Sequence, residues 1–195
     1  MTKGEQTRHR VVAEAAKLFN QRGYEGSSMS DIMQVTGLEK GGIYRHFSSK
    51  EELAAAAFDF AWNEAVQLRS HDVAGIKNSV DKLRKLIANF VERRSPIPGG
   101  CPLLNTAVDT DDGNPVLRKH AAKALHAWQA RLIGIIQEGI ERGEVNPETE
   151  PEKLANVVIS CLEGALMIAR LERKSDALLN AQAHLDMYLE AVVRL

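Results

Sequence analysis

Two short helical patterns meet at a glycine corner and a third helix opens directly after them; no other feature limits the possible fold of this chain as strongly. They occupy Ser28 to Lys50, SMSDIMQVTGLEKGGIYRHFSSK. Ser28 followed three residues later by Asp31 has the spacing of a capping box, in which hydroxyl and carboxylate satisfy free N–H groups at a helix start. Ile32 and Val35 are expected to turn inward from that helix. Thr36-Gly37 ends it, because glycine adopts the left-handed conformation without a Cβ penalty. Leu38 begins the second segment, in which Ile43 and Phe47, four apart, face one core. The opposite side then carries Gly41, Gly42, Tyr44, Arg45 and His46, with Lys40 in the first turn. Ser49 and Glu52 repeat the capping-box spacing, and Lys50 adds its charge to a helix start, where N–H groups suit a phosphate. Together these form a helix-turn-helix pattern.

The two glycines can be read in two ways. Each glycine inside a helix costs about 1 kcal/mol relative to alanine, so Lys40-Gly41-Gly42 makes a weak helix. It is either a loop between core helices or a surface built for close approach to a phosphate backbone. Charge distribution leans toward the second. The chain of 195 residues has a net charge of −1, but residues 1–50 hold eight Lys/Arg against five Asp/Glu. A modestly basic head on an acidic body suits a protein whose first domain alone meets DNA.

The wider run carries a resemblance. Thr7-Arg8, Ala15-Ala16, Leu18-Phe19, Gly23-Tyr24, Ile32, Gly37, Lys40-Gly41-Gly42-Ile43-Tyr44-Arg45-His46-Phe47, Lys50 and Leu53 together resemble the N-terminal domain of TetR-family transcriptional regulators. The likeness covers about the first quarter of the chain. The remainder is similar to that family only in its helical character and length. The resemblance implies a homodimeric, ligand-responsive protein, usually a repressor, that binds a palindromic double-stranded DNA operator. On the matching positions, Lys40 is expected to read bases. Tyr44, His46 and Lys50 are expected to hold phosphates, with Arg45 in either role. Ser28 and Arg8 would add flanking contacts. Gly42 departs from the threonine or serine of many members, so any contact there has to come from its backbone.

Helical spacing continues along the whole chain, and no strand is apparent. The expected fold is all-α with about nine helices: a three-helix domain over 1–50 and a ligand-binding and dimerisation domain over 51–195. The first residues are expected to be mobile, with a helix from Thr7 to Gln21. A long alanine-rich helix runs from about Ser49 to Arg69. Further helices are expected over Ile76 to Arg93, Pro102 to Val108, and Pro115 to Glu141, the last capped by Asn114. Pro96 and its neighbours in SPIPGG break the chain before Cys101. The final two helices, Pro151 to Arg173 and Asp176 to Arg194, are apolar on more than one face. A helix of that kind has to be covered on two sides, and a second copy of the chain is the simplest cover.

The middle helices supply the pocket implied by the resemblance. Its expected lining is Phe90, Leu104, Asn105, Trp128, Leu132 and Met167, suited to a small hydrophobic or aromatic effector. His126 either joins that pocket or is a surface or core histidine. Cys101 opens a helix, where a thiol is acidified. It is either a redox or electrophile sensor or a small buried residue. Asp109, Asp111 and Asp112 lack the later glutamate of a calcium loop, and His120 and His126 are six apart, so no metal or cofactor is expected. No nucleophile–base constellation is present, so no enzyme activity is expected. A helical ligand carrier without DNA binding is the alternative class. Two cysteines make no disulfide framework. MTKGEQTRHR carries no apolar leader, and no apolar run near 20 residues stands out. A cytoplasmic protein without a membrane segment is the expectation.

Overall fold

The structure is a computed structural model that describes residues 1–93, 95 and 97–195. Pro96, expected to break a helix, lies outside the described residues. Among these residues the chain forms nine α-helices and one π-helical turn. They are α1 (Lys3–Arg22), α2 (Met29–Thr36), α3 (Lys40–Tyr44), α4 (Lys50–Arg69), α5 (Ser79–Glu92), α6 (Pro102–Thr110), α7 (Pro115–Glu141), α8 (Pro151–Glu172) and α9 (Asp176–Tyr188), with the π-turn over Leu189–Val193. The all-α expectation holds. Two compact units result: Met1–Val66 with Ser95–Ala124, and Gln67–Arg94 with Leu125–Leu195.

In the first unit α1 begins at Lys3 and not at Thr7. Thr2 accepts from Glu5 N–H while the Glu5 side chain accepts from Thr2 N–H, a capping box that orders the first residues. Gly23 closes α1 with φ 77°. Ser28 and Asp31 form the expected box at α2, and Gly37 ends it in the left-handed conformation, φ 66°. One inward assignment is corrected: Val35 is 39% exposed, and Thr36 takes the buried position beside Ile32. The Thr36 hydroxyl donates to the Ile32 carbonyl at 2.7 Å, which satisfies the polar group inside the core. Val11, Ala15, Leu18, Ile32, Ile43, Phe47, Leu53 and Ala57 form that core. The α4 start differs slightly from the expected box. Ser49 accepts from Glu52 N–H at 3.0 Å, but the Glu52 carboxylate reaches back to Ser48. Asn114 opens α7 as expected, accepting from Leu117 N–H at 2.9 Å.

In the second unit α5 starts at Ser79, later than the apolar spacing from Ile76 suggested. The Asn78 side chain accepts from Val80 and Asp81 N–H groups and fixes the start. Leu83, Ile87, Leu132, Ile136, Val158, Leu162, Leu185 and Leu189 make the core. α8 corrects the membrane reasoning. It is 22 residues long, with a mean hydropathy of 1.6 over an 18-residue stretch, enough by length and composition to cross a bilayer. Leu154, Ala155, Val158, Leu162, Ala165 and Ala169 of this helix are instead buried in the unit's own core. The chain end is tied down as well. Asn146 N–H donates to the Val193 carbonyl at 2.8 Å, and Arg194 pairs with Glu190 and Asp81.

Candidate nucleic-acid interface

The buried pair Ile43 and Phe47 fixes which side of α3 faces outward. Lys40, Gly41, Tyr44 and Arg45 are exposed, Tyr44 to 41%, while Gly42 and His46 are half-buried. α3 has five residues, so Arg45 and His46 follow it in a turn. There, Arg45 N–H donates to Gly41 O at 3.2 Å and His46 N–H to Ile43 O at 2.9 Å. Glu39 precedes the helix without a side-chain cap.

Neither Gly41 nor Gly42 is required by the chain's own packing. A Cβ at Gly41 would meet nothing within 4 Å, and one at Gly42 would make ordinary contact with Leu38 at 3.6 Å. Gly37 differs, because its positive φ needs glycine. A short helix that gives up about 1 kcal/mol per glycine without an internal reason presents bare backbone outward.

Several cations of the expected site are held by aromatic rings. Lys40 Nζ lies 5.8 Å from the centre of the Tyr44 ring, and the Arg8 guanidinium lies 4.8 Å from that of Phe47. Lys50 Nζ sits 4.1 Å from the Tyr24 ring centre and donates to the Tyr24 carbonyl at 2.6 Å. Tyr24 follows Gly23 in the turn after α1. It is half-buried, and no helical periodicity links it to Lys50, 26 residues away. The Ser28 hydroxyl donates to Asp31 at 2.5 Å and stays exposed. Hydrogen bonds from the Ser28 side chain and backbone, then Arg22, hold the Asp31 carboxyl below the usual carboxylate range.

The expected effector residues are divided between the two units. Phe90, Trp128 and Leu132 pack together in the second unit, where the Phe90 and Trp128 rings stack. Cys101, Leu104 and Asn105 belong to the first unit. Asn105 hydrogen-bonds Asn20 and Gly99, and Cys101 is 1% exposed at the start of α6. His126 is exposed on α7, and Met167 is 50% exposed on α8. His120 pairs with Asp59 at 2.9 Å. Among the described residues no three His, Cys, Asp or Glu side chains come together to hold a metal.

A capped three-helix head with an outward, glycine-bearing third helix defines a helix-turn-helix DNA-binding protein. Residues 11–57 match the family of bacterial regulatory proteins of the tetR type, and residues 79–185 match the tetracyclin repressor-like C-terminal domain. The chain belongs to the TetR family of transcriptional regulators, a family of DNA-binding regulators and not of enzymes. It is 27% identical over 172 residues to the HTH-type transcriptional repressor DhaR of Mycobacterium sp. (strain GP1), covering 88% of this chain and 86% of that one. A TetR transcriptional regulator from Chloroflexus aurantiacus is 46% identical over the full length of both chains, with a TM-score of 0.95. A TetR-family regulator from Cytophaga hutchinsonii is 31% identical over 99% of this chain and 98% of its own, with a TM-score of 0.91.

Proposed function

We propose that this chain is a homodimeric repressor that binds a palindromic operator through residues 1–50 and is released by a small hydrophobic or aromatic effector bound within residues 51–195. The observation that carries this reading is the outward row Lys40, Gly41, Tyr44 and Arg45, set by the burial of Ile43 and Phe47. Lys40 reads a base edge in the major groove. Tyr44, His46 and Lys50 hold phosphates, Arg45 serves either role, and Ser28 and Arg8 flank them. Gly41 and Gly42 let the backbone approach. A second copy covers the apolar faces of α8, α9 and the π-turn, where Val157, Met167, Leu171, Leu179, Met187 and Val192 are exposed. In the dimer the two α3 helices lie about 34–36 Å apart, one DNA turn, or a close multiple. The effector favours a different spacing. A cytoplasmic location is part of the same proposal.

Burial of Cys101 closes its thiol to bulky electrophiles, so the redox alternative lacks an exposed group to carry it. Selection of genomic fragments by the purified protein, followed by footprinting, tests the main reading. The expected result is a palindrome with half-sites one helical turn or a close multiple apart. If no sequence is enriched over random DNA, the regulator reading fails and a helical ligand carrier takes its place.

A further inference from the structure

Lys50 is the first residue of α4, and its ammonium is already organised from within the chain. It donates to the Tyr24 carbonyl at 2.6 Å and lies 4.1 Å from the centre of the Tyr24 ring. One of its three N–H donors is used in this way, and two are left for a phosphate oxygen. A free lysine loses rotamer freedom when it clamps an anion; here part of that freedom is lost beforehand.

Tyr24 is itself fixed from another helix. Its N–H donates to the Asp109 carboxylate, near the end of α6, at 2.7 Å. One turn earlier on α6, Asn105 donates to both the main-chain and side-chain oxygens of Asn20 at 3.0 Å. Gly23 between them has φ 77°, and a Cβ there would lie 2.8 Å from Asp109. The end of α1 and the turn after it are thus held by α6 at two positions, Asn20 and Tyr24. Burial, followed by the charges of Glu51 and Glu25, pushes the Tyr24 hydroxyl pKa upward. The ring under the ammonium therefore stays neutral.

We propose that Tyr24 is a positioning residue for Lys50, holding its ammonium for a phosphate of bound DNA, and that Asp109 fixes Tyr24 for that task. This rests on the reading of Lys50 as a phosphate contact. The clamp then depends on the placement of α6, since Asp109 is one of its residues.

The test measures binding of the full chain to a random-sequence DNA duplex over a range of salt concentrations, with the thermal midpoint of each variant as a folding check. Each phosphate neutralised contributes about 0.9 to the slope of log K against log salt. Lys50→Ala is expected to lower that slope by about 1 per subunit. Tyr24→Leu removes the ring and is expected to weaken binding by about two- to fivefold with a shallower slope, while Tyr24→Phe binds like the parent. Asp109→Ala, at an exposed position, is expected to act in the same direction as Tyr24→Leu. Combined with Lys50→Ala, neither change should weaken binding further. If both add fully to Lys50→Ala, or leave the slope untouched while Lys50→Ala lowers it, the positioning role is overturned. If Lys50→Ala itself leaves the slope unchanged, the phosphate reading of Lys50 fails and the role of Tyr24 goes with it.

Discussion

Phe90 and Trp128 stack with ring centres 5.9 Å apart and planes tilted by 15°, and the Arg69 guanidinium lies 4.2 Å from the first ring centre and 5.4 Å from the second. Both rings belong to the core of the second unit, with Leu132 beside them. Cutting Trp128 back to alanine removes the stack and one of the two rings facing the guanidinium. Trp128→Ala is expected to lower stability by about 2–4 kcal/mol, read as a shifted midpoint in chemical denaturation. A variant that keeps its midpoint while losing its response to effector would make Trp128 a pocket wall and not a core residue.

The glycines of α3 separate folding from binding. Because a Cβ at Gly41 has open space around it, Gly41→Ala should leave the fold intact and stabilise it by up to about 1 kcal/mol. Affinity for operator DNA should fall at the same time, since the added methyl meets the nucleic acid backbone. Thermal melts and gel shifts on one preparation check both halves. Unchanged affinity would mean that no close approach occurs at Gly41.

Base reading and phosphate holding should respond differently to substitution. With Lys40 as the proposed base reader, Lys40→Ala is expected to relax preference at one position of each half-site, by about 1–3 kcal/mol of discrimination. Tyr44→Phe removes only a hydroxyl and should weaken binding to all sequences alike. Competition gel shifts with single-base operator variants distinguish the two. If Lys40→Ala keeps the parent's preference at every position, the base-reading role moves elsewhere, with Arg45 next in line.

Much of the fold and of the outward row was legible because it rests on local signals. Ser28 with Asp31, Gly37, and Asn114 at the α7 start fix helix ends through residues a few positions apart. What escaped had no local signature, or one that hydropathy overrode. Thr2 and Glu5 have the spacing of a capping box, but Lys3 to Arg10 shows no apolar stripe to announce a helix. Thr36 displaces Val35 from the core because its hydroxyl finds a carbonyl four residues back. The pairing of Lys50 with Tyr24 joins helices through a turn that no periodicity encodes. The expected effector set rests on no local signal either: its members come from different helices, and sequence does not say which turn of each faces which neighbour.

Acid should loosen the chain. Hydrogen bonds from the Ser28 hydroxyl and N–H hold Asp31 below the usual carboxylate range, those from the Ser48 hydroxyl and N–H do the same for Glu52, and Arg194 does so for Glu190. Each folded-state pKa lies below that of the unfolded chain, so in acid the unfolded chain takes up more protons and stability rises with pH through that window. The contribution is complete only well above the unfolded carboxyl values of about 4 and is lost as pH falls through the lower folded ones. The thermal midpoint is expected to hold near neutrality and to fall below about pH 4.5, with Asp31→Asn showing a shallower fall. A midpoint that rises on acidification would reverse these assignments.

Leu179 and Met187, both on α9, are 53% and 61% exposed, and Leu171 at the end of α8 is 78% exposed. Burying one such side chain fully is worth about 1.5–3 kcal/mol, so several exposed along α8 and α9 favour a covering partner. An α8–α9 pair facing a copy of itself forms a two-fold contact in which each residue is used twice. A single charge placed there is therefore introduced twice in the dimer and repels its own copy. Leu179→Glu and Met187→Glu are expected to leave the helical circular dichroism of the chain intact, because both side chains already face solvent within one copy. Sedimentation should then report monomers where the parent reports dimers. Operator affinity should fall steeply as well, because the two half-sites no longer share one binding event. Dimers that persist through both substitutions would place the subunit contact on another face.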